Sequence, residues 1–197
     1  MVARTASISR KTNETTIALE LNLDGSGKYS IDTGLPFFDH MLSHIAKHGV
    51  FDLELKATGD LEVDAHHTIE DCGIALGEGF AGALGDKAGL VRSGHAYMPL
   101  DEALAFAAVD FSGRPYAVLD LDLLGREVGG IAPDLFGHFL ESFAASARAN
   151  INVKVLSGVN DHHKAEACFK ALARALDAAS RIDARRGGDL PSTKGAL

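Results

Sequence analysis

The stretch DAHHTIEDCGIALGEG (residues 64–79) places two adjacent histidines three and four residues before a glutamate. The stretch NDHHKAEACFKALARAL (residues 160–176) repeats the same order. Apolar residues recur at helical spacing in both stretches, so each predicts a helix that begins near its histidines. One short pattern at two distant places indicates an internal duplication, from which the fold can be predicted.

Other parts of the chain extend the duplication. Helical spacing and a shared histidine relate FDHMLSHIA (38–46) to FGHFLESFA (136–144). The segments with strand-like alternation that match are FDLELKATGD (51–60) with INVKVLSGVND (151–161), and TIALELNLDG (16–25) with AVLDLDLLG (117–125). The offset between matching positions drifts only from 100 to 96. Two successive copies of one strand-and-helix unit are therefore predicted.

These copies predict an α+β fold made of two half-domains, each an antiparallel or mixed sheet with helices packed on one face. The halves cover about residues 1–95 and 96–190. Together with a short polar C-terminal tail they form a single domain over 1–197. The nearly continuous apolar run ALAFAAVDF (103–111) predicts a strand that is buried on both faces.

Composition limits the kind of protein. The 197 residues are 46% hydrophobic and 23% charged, which is typical of a globular domain. A formal net charge of −8 argues against a general nucleic-acid surface. Because we find neither an apolar run of about 18 residues nor a signal-peptide segment, we expect a cytoplasmic protein without membrane contact. Cys72 and Cys168 lie in apolar helical patterns and are expected to be buried.

The imidazole and carboxylate side chains of the repeated stretches predict metal binding. Residues four apart share one face of a helix, so the first histidine and the glutamate of each motif can bind one cation together. The second histidine points about 100° away around the helix. A further histidine occupies an equivalent position in each half. The eight donors are His40, His66, His67, Glu70, His138, His162, His163 and Glu166.

Eight donors supply three histidines and one glutamate for each of two similar sites. A closed tetrahedral site would be structural, whereas a six-coordinate metal would keep two positions open for a substrate. The polar residues nearby favour the open site. The sequence leaves open the coordination number, the grouping of the ligands and the choice among zinc, manganese, iron and nickel.

Two more histidines lie between the donors. His44 and His48 have no histidine counterpart, because Ser142 and Ser146 occupy the matching positions of the second half. His44 is either structural or part of the site. His48 either caps the helix end before Gly49 or contacts a substrate.

Basic residues offer a site for a small anion. Arg92 and Arg114 are candidates, although a lone arginine is more often a solvated surface charge. The tail segment PSTKG (191–195) combines hydroxyls, backbone amides and an ammonium group over three residues. Such a combination can bind a phosphate.

Taken together, the motifs resemble one family. The matching segments are FFDHMLSHIAKHG (37–49), DAHHTIEDCGIALG (64–77), RPYAVLDL (114–121), HFLESFA (138–144), NDHHKAEACFKALARAL (160–176) and PSTKG (191–195). They are similar to imidazoleglycerol-phosphate dehydratase, over essentially the whole chain. The resemblance implies a metal-dependent lyase that dehydrates imidazoleglycerol phosphate to imidazoleacetol phosphate in histidine biosynthesis, without a fused phosphatase domain.

The resemblance also implies partners and residue roles. It implies two manganese(II) ions per subunit, held by the eight donors, and a homo-oligomer of 24 subunits with its metal sites at subunit interfaces. The substrate is a small phosphorylated imidazole. The implied catalytic residues are Glu14, Glu70 and Glu166. The implied substrate-binding residues are Glu14, the stretch from His40 to His48, Arg92, Arg114, Ser192, Thr193 and Lys194.

The implied reaction removes hydroxide from the carbon beside the imidazole and a proton from the next carbon, which is not acidic. Metals that stabilise the imidazolate form of the substrate would assist the loss of hydroxide. A carboxylate would act as acid or base, and Glu14 is the candidate. The alternative is that Glu14 is an ordinary charged residue at the start of a strand, without a catalytic role.

Two other classes of protein stay open at this point. A phosphate-ester hydrolase would need two metals about 3.5–4 Å apart, usually with a bridging carboxylate, whereas the motifs supply mainly imidazoles. A metal store without enzymatic activity would leave Arg92, Arg114 and Lys194 without a role. A turnover assay with and without manganese separates the three classes.

Overall fold

The computed structural model describes residues 3–196, which form two consecutive copies of one unit. The elements of the first copy are β1 (Thr5–Lys11), β2 (Thr15–Asn22), β3 (Tyr29–Asp32), α1 (Pro36–Gly49), β4 (Asp52–Gly59) and α2 (His66–Leu84). Those of the second copy are β5 (Ser93–Leu100), β6 (Ala103–Asp110), β7 (Tyr116–Asp120), α3 (Pro133–Ala147), β8 (Asn150–Ser157) and α4 (Asp161–Ser180). A 3₁₀ turn over Ala184–Arg186 follows α4.

Each copy forms its own four-stranded sheet. The strand orders β1-β2-β4-β3 and β5-β6-β8-β7 are equivalent. The first three strands of each order are antiparallel, and the last strand, β3 or β7, runs parallel to its neighbour. Both sheets are therefore mixed, and the predicted α+β fold with two half-domains is confirmed.

The predicted pairing of strands within the repeat is wrong by one strand. β2 corresponds to β6, since Ile17 and Ala105 hold the same place in the two sheets, and the strand at 116–120 corresponds to β3. The connection from β7 to α3 spans residues 121–132, whereas that from β3 to α1 spans only 33–35. The offset consequently changes from 88 (17 to 105) to 98 (40 to 138). An alternation with a period of two cannot distinguish one strand from another.

The boundary between the halves also lies a few residues from its predicted place. A boundary near residue 95 would cut β5, which pairs along its whole length with β6 in the second sheet. The first half therefore ends, and the second begins, in the connection between Leu84 and Ser93.

The apolar run at 103–111 is buried on one face only, contrary to the prediction. β6 buries alternate residues such as Ala105 and Ala107, while the residues between them are partly exposed. On that outer face the rings of Tyr97 and Phe106 lie 4.9 Å apart. The run is continuous in hydrophobicity because the second sheet has an apolar outer face as well as an apolar inner one.

The helices of one copy pack against helices of the other. α2 lies against α3, and α1 lies against α4. Gly73 and Gly77 make the first of these contacts possible, because a Cβ there would lie 2.7 Å from the carbonyl oxygen of Phe139 and 2.6 Å from that of Phe143. The crossed packing brings the beginning of α2 beside α3, and the beginning of α4 beside α1.

Buried side chains of both copies form one hydrophobic core. Cys72 and Cys168 belong to it, as predicted, and both are free thiols. Burial raises the pKa of the Cys168 thiol to about 12. Within residues 3–196, no helix has the length and apolar character needed to cross a membrane.

Candidate functional site

A first cluster of possible metal ligands joins α2 to α3. It consists of His66 and Glu70 on α2 and His138 on α3, whose ligand atoms all lie within 4.8 Å of one another. Glu70 lies between the imidazoles, with Oε2 3.9 Å from His66 Nε2 and Oε1 3.5 Å from His138 Nε2. The two rings approach each other with their centroids 4.5 Å apart.

A second cluster joins α1 to α4 in the equivalent way. It consists of His40 on α1 and His162 and Glu166 on α4. Glu166 Oε1 lies 3.0 Å from His40 Nε2 and 2.9 Å from His162 Nε2. Burial opposes the ionisation of Glu166, but hydrogen bonds from Lys170, His40 and His162 outweigh it and lower the pKa of the carboxyl to about 2. Lys170 Nζ lies 2.5 Å from the other oxygen, Oε2.

Each cluster therefore takes its residues from both copies of the repeat. The motif of one copy contributes a histidine and the glutamate, and the partner histidine comes from the opposite copy. The i, i+4 spacing predicted the pairs within each helix. The crossed grouping, which the sequence left open, follows from the packing of α2 on α3 and of α1 on α4.

The second histidines of the two motifs, His67 and His163, belong to neither cluster; we refer to them as the outer histidines. His67 Nδ1 lies 3.0 Å from Asp60 Oδ2, and this hydrogen bond raises the pKa of His67. His163 Nδ1 lies 2.7 Å from Glu102 Oε2, and this hydrogen bond raises the pKa of His163. Neither carboxylate could be predicted from the sequence, because neither lies at helical spacing from the histidine that it contacts.

The clusters fit a divalent cation of the first transition series. Imidazole nitrogen with carboxylate oxygen suits manganese, iron, nickel and zinc. His138 Nε2 is buried and has no hydrogen-bond partner among the described residues, although it lies near Glu70. A buried polar atom without a partner is costly, and a metal ion would satisfy it.

Of the two histidines without a counterpart, His44 adjoins the second cluster. It is buried, its Nε2 lies 3.2 Å from Glu166 Oε2 without hydrogen-bond geometry, and burial lowers its pKa to about 4. His48 follows one turn later, with its ring centroid 5.5 Å from that of His44. Val50 forms the left-handed C-cap of α1, so capping does not fall to His48. The backbone oxygen of His48 accepts a hydrogen bond from Arg174.

The basic residues predicted to bind phosphate lie at one end of the second sheet. Arg92 donates to Asp110 at 2.6 and 2.9 Å and to the backbone oxygen of Pro191 at 2.7 Å, so it connects β6 to the tail. Arg114 is exposed beside a surface depression of about 320 Å³, which Asp110 and Ser112 also line. The tail forms a compact turn just after Pro191, in which the backbone N–H of Lys194 donates a hydrogen bond to Ser192 Oγ.

A single chain keeps these basic residues away from the second cluster. The backbone N–H of Arg92 donates to Ala179 near the end of α4, whereas His162 stands at its beginning. The rise of about 1.5 Å per residue puts Ala179 roughly 25 Å from His162 along the helix. A substrate that contacts both regions would need them from different copies of the chain.

Glu14 lies in the turn between β1 and β2, beside the first cluster's helix. Its Oε1 is 3.7 Å from Nε2 of the outer histidine His67, and its side chain is 52% exposed, so it is open to a ligand. The turn is fixed by buried Asp71, which accepts hydrogen bonds from Arg10 and Thr15. The second copy places Asp101 comparably, with Oδ2 3.8 Å from Nε2 of the outer histidine His163.

Comparison with known proteins points to one family. A sequence model described as imidazoleglycerol-phosphate dehydratase matches residues 33–176. A protein of that name from a Roseiflexus species is 58% identical over 194 residues, which cover 98% of each chain. The crystal structure of the dehydratase from Pyrococcus furiosus is 39% identical, with a TM-score of 0.82, and covers 96% of this chain and 100% of that one. The Staphylococcus aureus structure is 33% identical, also with a TM-score of 0.82, and covers 91% of this chain and 99% of that one.

Proposed function

Because the chain belongs to the imidazoleglycerol-phosphate dehydratase family of hydro-lyases, we propose that it converts imidazoleglycerol phosphate to imidazoleacetol phosphate with two manganese(II) ions per subunit. The observation that carries the proposal is the pair of equivalent clusters, which share no residue. A two-metal hydrolase usually has a carboxylate that bridges its metals, so the arrangement favours the dehydratase. We assign the reaction to the cytoplasm.

Each cluster would hold one manganese ion. Its ligands would be two histidines and a glutamate of one subunit, and an outer histidine of another subunit would complete the set. When bound, manganese supplies Lewis acidity, which favours electron-rich forms of a coordinated imidazole. The outer histidines support a shared site, because within a single chain neither joins either cluster.

Glu14 is the proposed acid or base. Its turn is held by Asp71, and the carboxylate stands 3.7 Å from Nε2 of a proposed metal ligand, His67. A carboxylate so placed can take the proton from the carbon next to the reacting one and return it when the enol becomes the ketone. Glu70 and Glu166 complete the proposed catalytic set as the carboxylates of the two clusters.

The phosphate of the substrate would bind to the basic end of the second sheet. Arg92, Arg114, Ser192, Thr193 and Lys194 are the proposed contacts, with His40 and His48 nearer the imidazole. A dianion needs several charge-assisted hydrogen bonds, which these residues can donate. Because Arg92 and the second cluster lie at opposite ends of α4, the phosphate and the imidazole would contact different subunits.

A homo-oligomer, which we propose to have 24 subunits, would supply these shared sites. The outer face of the second sheet offers an apolar surface, on which Tyr97 is 59% and Val118 50% exposed. Ser9 and Ser30 hold the equivalent positions of the first sheet. Large exposed apolar patches favour association. Another subunit of the same protein is the partner that would cover this surface and would also complete the metal sites.

The assembly is tested by removing the metal. We expect chelation to reduce the mass measured by light scattering, because metals shared between subunits stabilise the contact between them. Re-addition of manganese should restore the mass. An unchanged mass after complete removal of metal would count against shared sites.

A turnover assay tests the activity itself. Purified protein should consume imidazoleglycerol phosphate in the presence of manganese and lose that activity after chelation. Release of inorganic phosphate in place of imidazoleacetol phosphate would identify a hydrolase. Absence of any turnover in protein loaded with manganese would contradict the proposal.

A further inference from the structure

Each outer histidine has a carboxylate on Nδ1, but the two carboxylates come from different places in the repeat. Asp60 follows β4 and contacts His67, with 3.0 and 3.2 Å from Nδ1 to its two oxygens. Glu102 lies in the turn between β5 and β6 and contacts His163 at 2.7 Å. An ionised carboxylate only accepts hydrogen bonds, so Nδ1 of each ring carries the proton and Nε2 keeps its lone pair.

The second copy has no carboxylate at the position that serves the first. Because the register of β8 on β6 shifts by one residue, Gly158 is the counterpart of Gly59, and Val159 takes the place of Asp60. Valine has no carboxylate, so the one on His163 comes from another element.

The element that serves His163 is the counterpart of the one that carries Glu14. Glu14 immediately precedes β2, and Glu102 immediately precedes β6, the equivalent strand. Glu102 is held in place, because its Oε1 accepts hydrogen bonds from the backbone N–H groups of Val159 and Asn160 at 3.2 and 2.9 Å. Glu14 Oε1, in contrast, lies 3.7 Å from Nε2 of His67, beyond hydrogen-bond distance.

We propose that Asp60 and Glu102 are positioning residues that fix the tautomer and the orientation of the outer histidines, and that Asp60 thereby leaves Glu14 free for proton transfer. The inference rests on the proposed function and divides the work of two equivalent glutamates. Carboxylates that orient a metal-binding histidine typically contribute about 10–100-fold to metal affinity. Loss of Glu102 should therefore weaken manganese binding, whereas loss of Glu14 should lower turnover and leave manganese binding unchanged.

The experiment measures manganese affinity and turnover in the full chain. Manganese is titrated against a coloured chelator for Asp60→Asn, Glu102→Gln and Glu14→Gln, with Glu62→Gln as a matched control in an exposed part of the loop before α2. We expect Asp60→Asn and Glu102→Gln to weaken manganese binding by about 10–100-fold. Their loss of turnover should shrink as manganese is raised. Glu14→Gln should bind manganese like the control and stay impaired at every concentration.

Other outcomes separate the inference from the function. If Asp60→Asn and Glu102→Gln bind manganese as tightly as Glu62→Gln while the parent is active, the inference fails and the dehydratase stands. If the parent binds manganese but has no turnover, the proposed function fails and the affinities still test the positioning role. Should Asp60→Asn not fold, Asp60→Glu keeps the acceptor, and its affinity must then lie close to that of the parent.

Discussion

The two clusters have the same ligands but different surroundings. Beside the second cluster, Lys170 Nζ lies 2.5 Å and His44 Nε2 3.2 Å from Glu166. The equivalent positions beside the first cluster are Ile74 and Ser142, and within residues 3–196 no lysine pairs with Glu70. The duplication has kept the ligand sets equal while the neighbours diverged. We therefore expect two metals of similar coordination, with polar and charged functions placed unequally around them.

The largest expected effect comes from Glu14, whose counterpart in the second half, Glu102, is instead hydrogen-bonded to His163. Glu14→Gln keeps the shape of the side chain and removes its proton chemistry, so kcat should fall by about 10²–10⁴-fold while KM changes little. Steady-state kinetics with saturating manganese measures this. A near-normal kcat would remove the proton-transfer role from Glu14 and leave the assignment of the reaction standing.

A second test compares equivalent ligands. His66→Ala and His162→Ala each remove one imidazole from one cluster, so their losses of kcat/KM should be alike. A Lewis acid contributes several kcal/mol, which corresponds to about 10³-fold. Rates for the two variants, measured under one set of conditions, decide the matter. Losses that differ by more than tenfold would mean that only one half carries a catalytic metal.

A third test concerns the phosphate, whose proposed contacts belong to the second half and the tail. Lys194→Ala removes one charge-assisted hydrogen bond, which should raise KM by about tenfold with a smaller change in kcat. Lys56→Ala, an exposed lysine on the first sheet, is the matched control. Equal KM values for both variants would exclude Lys194 from the phosphate site.

The smallest expected effect comes from making the surroundings alike. Lys170→Ile gives the second cluster the residue that the first one has, and removes a positive charge from beside Glu166. Manganese binding at that cluster should become tighter by several-fold, because a cation no longer competes for the carboxylate. A titration in the His66→Ala background isolates the second cluster. Weaker binding would show that Lys170 supports the site instead.

The sequence predicted the fold class and the ligand chemistry because both depend on local periodicity. Helical spacing was enough to pair His66 with Glu70. It could not show that His138 completes this pair, since that contact depends on the close approach of α2 and α3 at Gly73 and Gly77. The alternation of the strands, in turn, was too uniform to fix their register in the repeat.

The carboxylates that contact the outer histidines could not be predicted from sequence patterns for a different reason. Asp60 reaches His67 from the end of a strand, and Glu102 reaches His163 from a turn 61 residues away. Neither spacing belongs to a known motif. The asymmetry becomes apparent only when the strand register shows Val159 in the place of Asp60.

The most direct test of the central claim, that each cluster holds one metal, is the manganese content of dialysed protein. Elemental analysis should find two ions per chain in the parent, and one in each of His66→Ala and His162→Ala. Both variants must be folded, which circular dichroism checks. A fully active parent with one ion per chain or none, or a variant that still retains two, would contradict the assignment of one metal to each cluster.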